Sequence, residues 1–240
     1  MDSEDPLVQG SIQTISTISP DSCTENILAR TPNLKKLGIR GKLVILMKVN
    51  KNSSLFANLA KLDNLEKLKL LNDTFPRPPS EGKLRSLPQL YEFPPHLIKL
   101  TLSDTLLDWK HMSTIAMLPN LEVLKLKVCA FMGPQWDPID GGFRLLKYLQ
   151  IGKTDLERWK ASGHHFPRLE HIVVEQCGSL VTVPIGLADV SALQTIELHH
   201  TPSAVYSARL IQEQKQAQAL QKQQRYGFKL HIYPLEEVMK

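Results

Sequence analysis

What the chain has little of narrows its class first. Three cysteines in 240 residues, Cys23, Cys129 and Cys177, are too few and too scattered for a disulfide framework. An odd count without a signal peptide fits a reducing compartment, so a cytoplasmic location is expected. No apolar run reaches the roughly 18 residues of a membrane-crossing helix, and no membrane span is expected. The first residues, MDSEDPLVQG, are acidic and polar, unlike a signal or transit peptide. Glycine is scarce beside proline, 12 against 16, which suggests many connections but no flexible linker. The charge imbalance is small. A formal +5 permits acidic partners but does not single out nucleic acid, which is not expected as a partner.

What the chain has is a repeat. NLKKLGI, NLEKLKL, HLIKLTL, NLEVLKL, LLKYLQI, RLEHIVV and ALQTIEL each carry aliphatic residues at relative positions one, four and six. The triplets are Leu34, Leu37, Ile39; Leu65, Leu68, Leu70; Leu97, Leu100, Leu102; and Leu121, Leu124, Leu126. They continue with Leu146, Leu149, Ile151; Leu169, Ile172, Val174; and Leu193, Ile196, Leu198. Successive copies start 31, 32, 24, 25, 23 and 24 residues apart. A looser copy, Ile12, Ile15 and Thr17, lies 22 residues upstream of the first.

This pattern is the leucine-rich repeat. Positions four and six point to the same side of a short strand, and position one lies on the turn before it. One such strand cannot bury its apolar edge alone, so the copies stack as a parallel sheet with one continuous core. The expected fold is α/β: a leucine-rich repeat solenoid, or horseshoe. Its parallel sheet lines the concave side and irregular or short helical segments form the convex side. Residues 1–30 are expected to be an irregular repeat or cap, residues 31–201 the repeats, and residues 202–240 a C-terminal cap.

Position nine of the copies reads Lys42, Asp73, Thr105, Cys129, Thr154, Cys177 and Thr201. It is expected to turn inward and bond to backbone groups of a neighbouring turn. A small, partly polar thiol or hydroxyl suits that slot. Cys129, Thr154 and Cys177 are therefore read as structural rungs.

The segments between the strands carry their own signals. Residues 75–95 hold six of the 16 prolines and predict an irregular outer-face insertion. Within it, PRPP at 76–79 matches the P-x-x-P docking pattern only weakly. GPQWDP at 133–138 is a turn-rich loop whose Trp136 looks exposed, although packing over a repeat edge explains it more simply. Trp109 and Trp159 follow their strands by similar offsets, which suggests an outer packing layer. ARLIQEQKQAQALQKQQRYG, residues 208–227, predicts a mostly solvated helix. FKLHIY, residues 228–233, predicts a strand that caps the sheet edge.

Chemistry is hard to find in this pattern. GKT at 152–154 ends like a phosphate-binding loop, but the glycine required five positions earlier is Lys147. The stretch GHHFPRLEHIVVEQC holds three histidines and Cys177. The repeat frame nevertheless puts His171 on the solvent side of its strand and Cys177 on the core side, where they cannot share a metal. Two N-x-S/T matches, at Asn52 and Asn72, matter only in a secreted protein. No catalytic residue, cofactor or metal is expected.

Charge is the better clue. Between and just after the triplets, the first four copies carry Lys35, Lys36, Arg40, Lys67, Lys69, Lys99, Lys125 and Lys127 against Glu66 and Glu122. The last three carry Lys147 against Glu170, Glu175 and Glu197, with His171 and His199. Strands present alternate side chains on one face, so such residues form rows across repeats. The first half is a candidate dock for an acidic protein surface, with Lys36, Arg40, Lys67, Lys69, Lys99, Lys125 and Lys127 as its residues. His171 and Glu175 are candidate protein contacts in the second half. A plain solvated surface would carry charges too.

Several segments resemble a known family. CGSLVTVP (177–184) is similar to the irregular repeats of plant NLR disease-resistance proteins. ARTPNLKKLGIRGK (29–42), LPQLYEFPPHLIKLTLSDTLL (87–107) and LPNLEVLKLKVCAFMGPQWD (118–137) resemble more narrowly the repeat region of solanaceous coiled-coil NLRs, the group of the late-blight resistance proteins and their helpers. SGHHFPRLEHIVVEQCGSL and the Gln-rich tail resemble the same region, so the likeness runs from about residue 10 to 240. It implies a domain that folds back on a nucleotide-binding switch domain and holds it off. A pathogen effector, met directly or through a guarded host protein, relieves that restraint. The basic half would then be the intramolecular dock. The family's coiled coil, phosphate-binding loop and switch motifs are missing, which would make this a fragment or a truncated product, even a decoy or a remnant. An extracellular receptor ectodomain would need a signal peptide, paired cap cysteines and N-x-L-x-G-x-I-P repeats.

Overall fold

Each aliphatic triplet anchors one strand of a single sheet. The computed structural model describes residues 10–47, 49–50, 53–73, 84–223 and 227–234. The sheet strands are β1 (Thr14–Ile18), β2 (Lys36–Gly41), β3 (Lys67–Asn72), β4 (Lys99–Ser103), β5 (Val123–Lys127), β6 (Tyr148–Gly152), β7 (His171–Glu175), β8 (Thr195–His199) and β9 (Lys229–Tyr233). They run in sequence order as a 9-stranded sheet in which every neighbouring pair is parallel. The architecture is α/β with a large parallel sheet and few helices.

The register follows the repeat. Leu37, Leu68, Leu100, Leu124, Leu149, Ile172, Ile196 and Leu230 lie side by side across β2 to β9. Every triplet residue of the seven copies is 3 % exposed or less. In the turn before a strand, position one donates to a carbonyl three residues back, as Leu65 does to Leu62 at 3.0 Å and Leu193 to Val190 at 3.1 Å. The next two amides share one carbonyl of the preceding copy: Glu66 and Lys67 both donate to Lys35, and Lys147 and Tyr148 both to Glu122. Asparagine just before position one adds a further tie. The Asn64 and Asn120 amides donate to the Pro32 and Pro95 carbonyls, at 3.1 and 2.9 Å.

The upstream copy departs from expectation. β1 carries an irregularity between Ile15 and Ile18, so Ile15 faces Leu37 and Ile18 faces Ile39. Ile12, Ile15 and Ile18 pack against the core, while Thr17 is exposed. The extra residue of the bulge shifts the inward position by one. It also brings the Ser16 carbonyl onto Gly38, where an added Cβ would sit 2.0 Å from that oxygen. Glycine is required at 38 by this close approach.

Strand exits share a feature that side chains do not announce. Position eight of five successive copies, Asp104, Val128, Lys153, Gln176 and His200, has φ of 59, 33, 50, 51 and 49°. None is glycine, so each bears a conformational cost. The turn aims amides along the stack: Lys153 donates to Glu175 at 2.8 Å, Gln176 to His199 at 2.7 Å and His200 to Tyr233 at 2.7 Å. The hydrogen-bond ladder holds the conformation in place.

Position nine behaves differently in the first two copies. Thr105 and Thr201 are buried, and the Thr105 hydroxyl donates to the Ala130 carbonyl at 2.6 Å. Lys42 and Asp73, also expected to turn inward, are instead exposed. Their charges would be stranded in the core, and in the second copy Asn72 takes the inward place one residue earlier. Its side chain accepts from the Leu43 amide at 3.1 Å and donates to the Asp104 carbonyl at 2.9 Å.

The outer layer is built on aromatics. Trp136 is 1 % exposed, in line with packing over a repeat edge. Gln135–Trp136 pairs in parallel with Arg158–Trp159, and this pairing turns both indoles inward. Trp109, Trp136 and Trp159 form one stack, with ring centroids 5.1 and 5.3 Å apart. Phe143 and Phe166 meet the middle indole edge-on. In the insertion, the described residues Leu84, Leu87 and Phe93 are buried, and Phe93 meets Phe56 edge-on at 5.1 Å. PRPP at 76–79 lies outside the described residues.

The C-terminal helix spans Val205–Gln221, beginning before the Gln-rich run. It buries Val205, Ser207, Ala208, Ile211 and Lys215 and leaves the rest half-buried or exposed. The Ser207 hydroxyl accepts from the Val183 amide at 2.8 Å and donates to the Ala204 carbonyl at 2.8 Å. Beyond the helix, β9 adds to β8, with Leu230 beside Ile196 and Ile232 beside Leu198. Among the described residues no helix is long and apolar enough to cross a membrane.

Candidate protein-interaction surface

The residues between the buried positions make three rows across the solvent face of the sheet. Position three reads Lys36, Lys67, Lys99, Val123, Tyr148, His171, Thr195 and Lys229. Position five reads Gly38, Lys69, Thr101, Lys125, Gln150, Val173, Glu197 and His231. Position seven reads Arg40, Leu71, Ser103, Lys127, Gly152, Glu175, His199 and Tyr233. The last row combines the register with the sequence, because β5 pairs with β6 only as far as Leu126.

Six of the seven basic candidates converge. Lys36, Lys67, Lys69, Lys99, Lys125 and Lys127 line a single hollow of about 320 Å³ over β2 to β5, bounded on one side by Thr14, Ile15 and Ser16 of β1. Among the described residues Lys36, Lys67, Lys69, Lys99 and Lys127 form no ion pair. Neighbouring strands lie about 4.8 Å apart, so the in-register Lys36, Lys67 and Lys99 repel one another. Lys125 shows the strain. Burial, then Lys99 and Lys127, push its ammonium below the usual lysine range, and Glu175 offsets only part of that. Its Nζ lies 4.6 Å from the centre of the Tyr148 ring, a cation–π contact at the edge of the basic half.

Arg40 does not join the hollow. Its Nε donates to the Asp73 carboxylate at 2.6 Å, in a pair whose side chains are 59 and 43 % exposed. An exposed pair of this kind adds little stability, on the order of 0–1 kcal/mol. It does withdraw Arg40 from the free charge of the face.

The second half is a bonded network. His171 and His199 reach the two oxygens of Glu197, at 2.7 and 3.2 Å, each through Nε2. Glu175 accepts from the Gln150 amide at 2.8 Å. The His171 ring lies 5.2 Å from Tyr148, and His199 stacks on Tyr233 at 4.7 Å. Burial alone would raise the Glu197 carboxyl. The hydrogen bonds and charge of His199 and His171 outweigh it, and the group titrates below the usual glutamate range. A depressed carboxyl adds stability above its unfolded-state value and loses it as pH falls through its folded-state value. Glu197→Gln should therefore be less stable than wild type near neutral pH, with the gap closing on acidification. Urea midpoints at pH 7 and at pH 3 check this.

Cys129, Thr154 and Cys177 follow the ends of β5, β6 and β7. Cys177 is fully buried, and its Sγ donates towards the Glu175 and Ile151 carbonyls, at 3.3 and 3.7 Å. Its amide donates to the Thr201 hydroxyl at 3.4 Å. Thr154 donates to the Phe131 carbonyl at 2.8 Å. Cys129 is half-buried and donates its amide to Lys153 at 2.9 Å. Burial raises the Cys177 thiol, and burial with the nearby Asp21 pushes Cys23 up to about 12. Iodoacetamide at pH 8 should thus label Cys129 well before Cys23 and Cys177, and all three in urea, as read by mass spectrometry.

Of the two loop histidines, His165 is tied into the fold. His165 Nδ1 accepts from the Ser162 amide at 3.0 Å, and its Nε2 lies 3.2 Å from Asp140. Among the described residues no three His, Cys, Asp or Glu side chains are grouped to hold a metal. Sequence reasoning singled out His171 and Glu175 but not the carboxylate that ties two histidines together. Its signal was the in-register acidic and imidazole residues of β7 and β8.

No sequence-family model matches the chain. Among curated proteins, a late blight resistance protein homolog of Solanum demissum is 31% identical over 241 residues, covering 96% of the chain and 29% of the relative. A second is 33% identical over 147 residues, covering 60% of the chain and 11% of its own length. A third is 38% identical over 122 residues, covering 50% and 10%. The chain spans under a third of the length of each of these relatives. Its triplets, its sheet and its matches agree: it belongs to the late blight resistance homologues, plant NLR disease-resistance proteins, of which it spans a part.

Proposed function

We propose that the chain is the leucine-rich repeat region of an intracellular plant immune receptor, a curved solenoid whose solvent face is concave. It works by binding proteins rather than by catalysis, in the cytoplasm, with no cofactor. The basic half docks an acidic surface of the nucleotide-binding domain, of the same or a related receptor, and keeps that domain inactive. The half around His171 and Glu175 receives a pathogen effector or a guarded host protein. Cys129, Thr154 and Cys177 serve as rungs that hold the strands in phase.

The observation that carries this reading is the segregation of charge along one face. Six lysines share a hollow over β2 to β5, and acidic and imidazole side chains occupy β7 and β8. Such an arrangement steers an acidic partner to one half and orients it. The experiment is co-precipitation of the chain with a separately supplied nucleotide-binding domain of a late blight resistance homologue. Association should be strong at about 0.01 M salt and mostly lost at about 1 M, where the screening length shrinks from roughly 30 to 3 Å. Association that is indifferent to salt would contradict a dock built on these lysines.

A further inference from the structure

The lysine-lined hollow has a shape as well as a charge. Its volume of about 320 Å³ is at the lower end of small-ligand sites, which run from about 300 to 1,000 Å³. Lys99 and Lys125 are half-buried within it, while Lys36, Lys67, Lys69 and Lys127 are exposed. None of its lining residues is acidic. The bulge of β1 bounds it on one side, and the Ser16 carbonyl packed on Gly38 keeps that boundary in place. We infer that this hollow binds a compact polyphosphorylated small molecule, whose phosphates are shared among Lys36, Lys67, Lys69, Lys99, Lys125 and Lys127.

Charge density favours this class over an acidic peptide. An extended peptide presents same-side carboxylates about 7 Å apart, so one or two at most would enter the hollow. The lysines stand on strands about 4.8 Å apart and in three rows. A small ring bearing several phosphates matches that spacing, each phosphate carrying about 1.5 to 2 negative charges. Lysine suits the role because its ammonium is a point charge with three donors that turn to meet phosphate oxygens. Filling the hollow would also relieve the mutual repulsion of Lys99, Lys125 and Lys127.

The ligand's outer phosphates would repel an acidic protein surface, so binding here would oppose docking. That consequence rests on the docking reading; the binding itself does not, and it is measured on the chain alone. The probe is inositol hexakisphosphate, titrated calorimetrically into the 240-residue chain at fixed ionic strength. One ligand per chain is expected. Lys69→Gln and Lys99→Gln should each weaken binding by about tenfold, since a charge-assisted hydrogen bond of ordinary strength corresponds to about that factor. Lys36→Gln with Lys127→Gln gives a second, independent reading from other strands. Lys110→Gln and Lys160→Gln, outside the hollow, should leave affinity unchanged, and sulfate at matched ionic strength should not displace the probe. Absence of saturable binding, or equal affinity in the hollow variants and wild type, would overturn the inference. So would a single-stranded oligonucleotide that binds more tightly through the same lysines.

Discussion

Trp136→Ala should lower the unfolding free energy by about 3–5 kcal/mol, the usual range for deleting a large buried aromatic. The indole is 1 % exposed. It stacks between Trp109 and Trp159 at interplanar angles of 18 and 9°, with Phe143 and Phe166 against its edges. Alanine would leave a cavity bordered by four aromatic rings that cannot close together without moving three repeats. Each strand of the sheet bonds only to its sequence neighbours, so cohesion passes through this layer from one half to the other. A single urea transition should therefore weaken and split. The three tryptophans of the chain are all in this stack, so tryptophan emission reports it alone while far-UV circular dichroism reports the sheet. Trp136→Phe should cost much less. The indole N–H groups of Trp136 and Trp159 are buried without an acceptor among the described residues, and phenylalanine removes one such unpaired donor. An unchanged midpoint in Trp136→Ala would show that the stack does not couple the halves.

The triplets, the strand positions and the solvent-facing rows were legible in the residues because side chains alternate along a strand and copies stack in phase. What escaped was set by neighbours. The bulge that replaces Thr17 by Ile18 as the inward residue depends on how β1 lies over Gly38. Asn72 rather than Asp73 turns in, because an amide can satisfy both a donor and an acceptor there and a carboxylate cannot. The left-handed residue at position eight left no trace, since aspartate, valine, lysine, glutamine and histidine share no side-chain property. It is imposed by amides that must reach the next copy.

The candidate site was read as rows of charge, and the rows are there. Their convergence was not visible: one hollow for six lysines, Arg40 withdrawn to Asp73, and Glu197 bridging two histidines. Each arises between strands that are far apart in sequence. Trp136 was legible as packing over a repeat edge despite its turn-rich flanks. Pairing with Arg158–Trp159 decided its burial.

The docking claim is tested most directly by reversing Lys67, Lys69, Lys99 and Lys125 to Glu together. Repulsion among four neighbouring glutamates resembles that among four lysines, so the fold should survive with a small change in stability, chiefly from the lost contact of Lys125 with Tyr148. The effect on an acidic partner is large, because each attraction becomes a repulsion and like charges brought together cost several kcal/mol. Affinity for the separately supplied nucleotide-binding domain, measured by calorimetry at low ionic strength, should fall at least about a hundredfold. Reversing the exposed Lys110, Lys153 and Lys160 instead should change it by less than about threefold. Equal affinity of the folded four-lysine variant and the wild type at low salt would contradict the account.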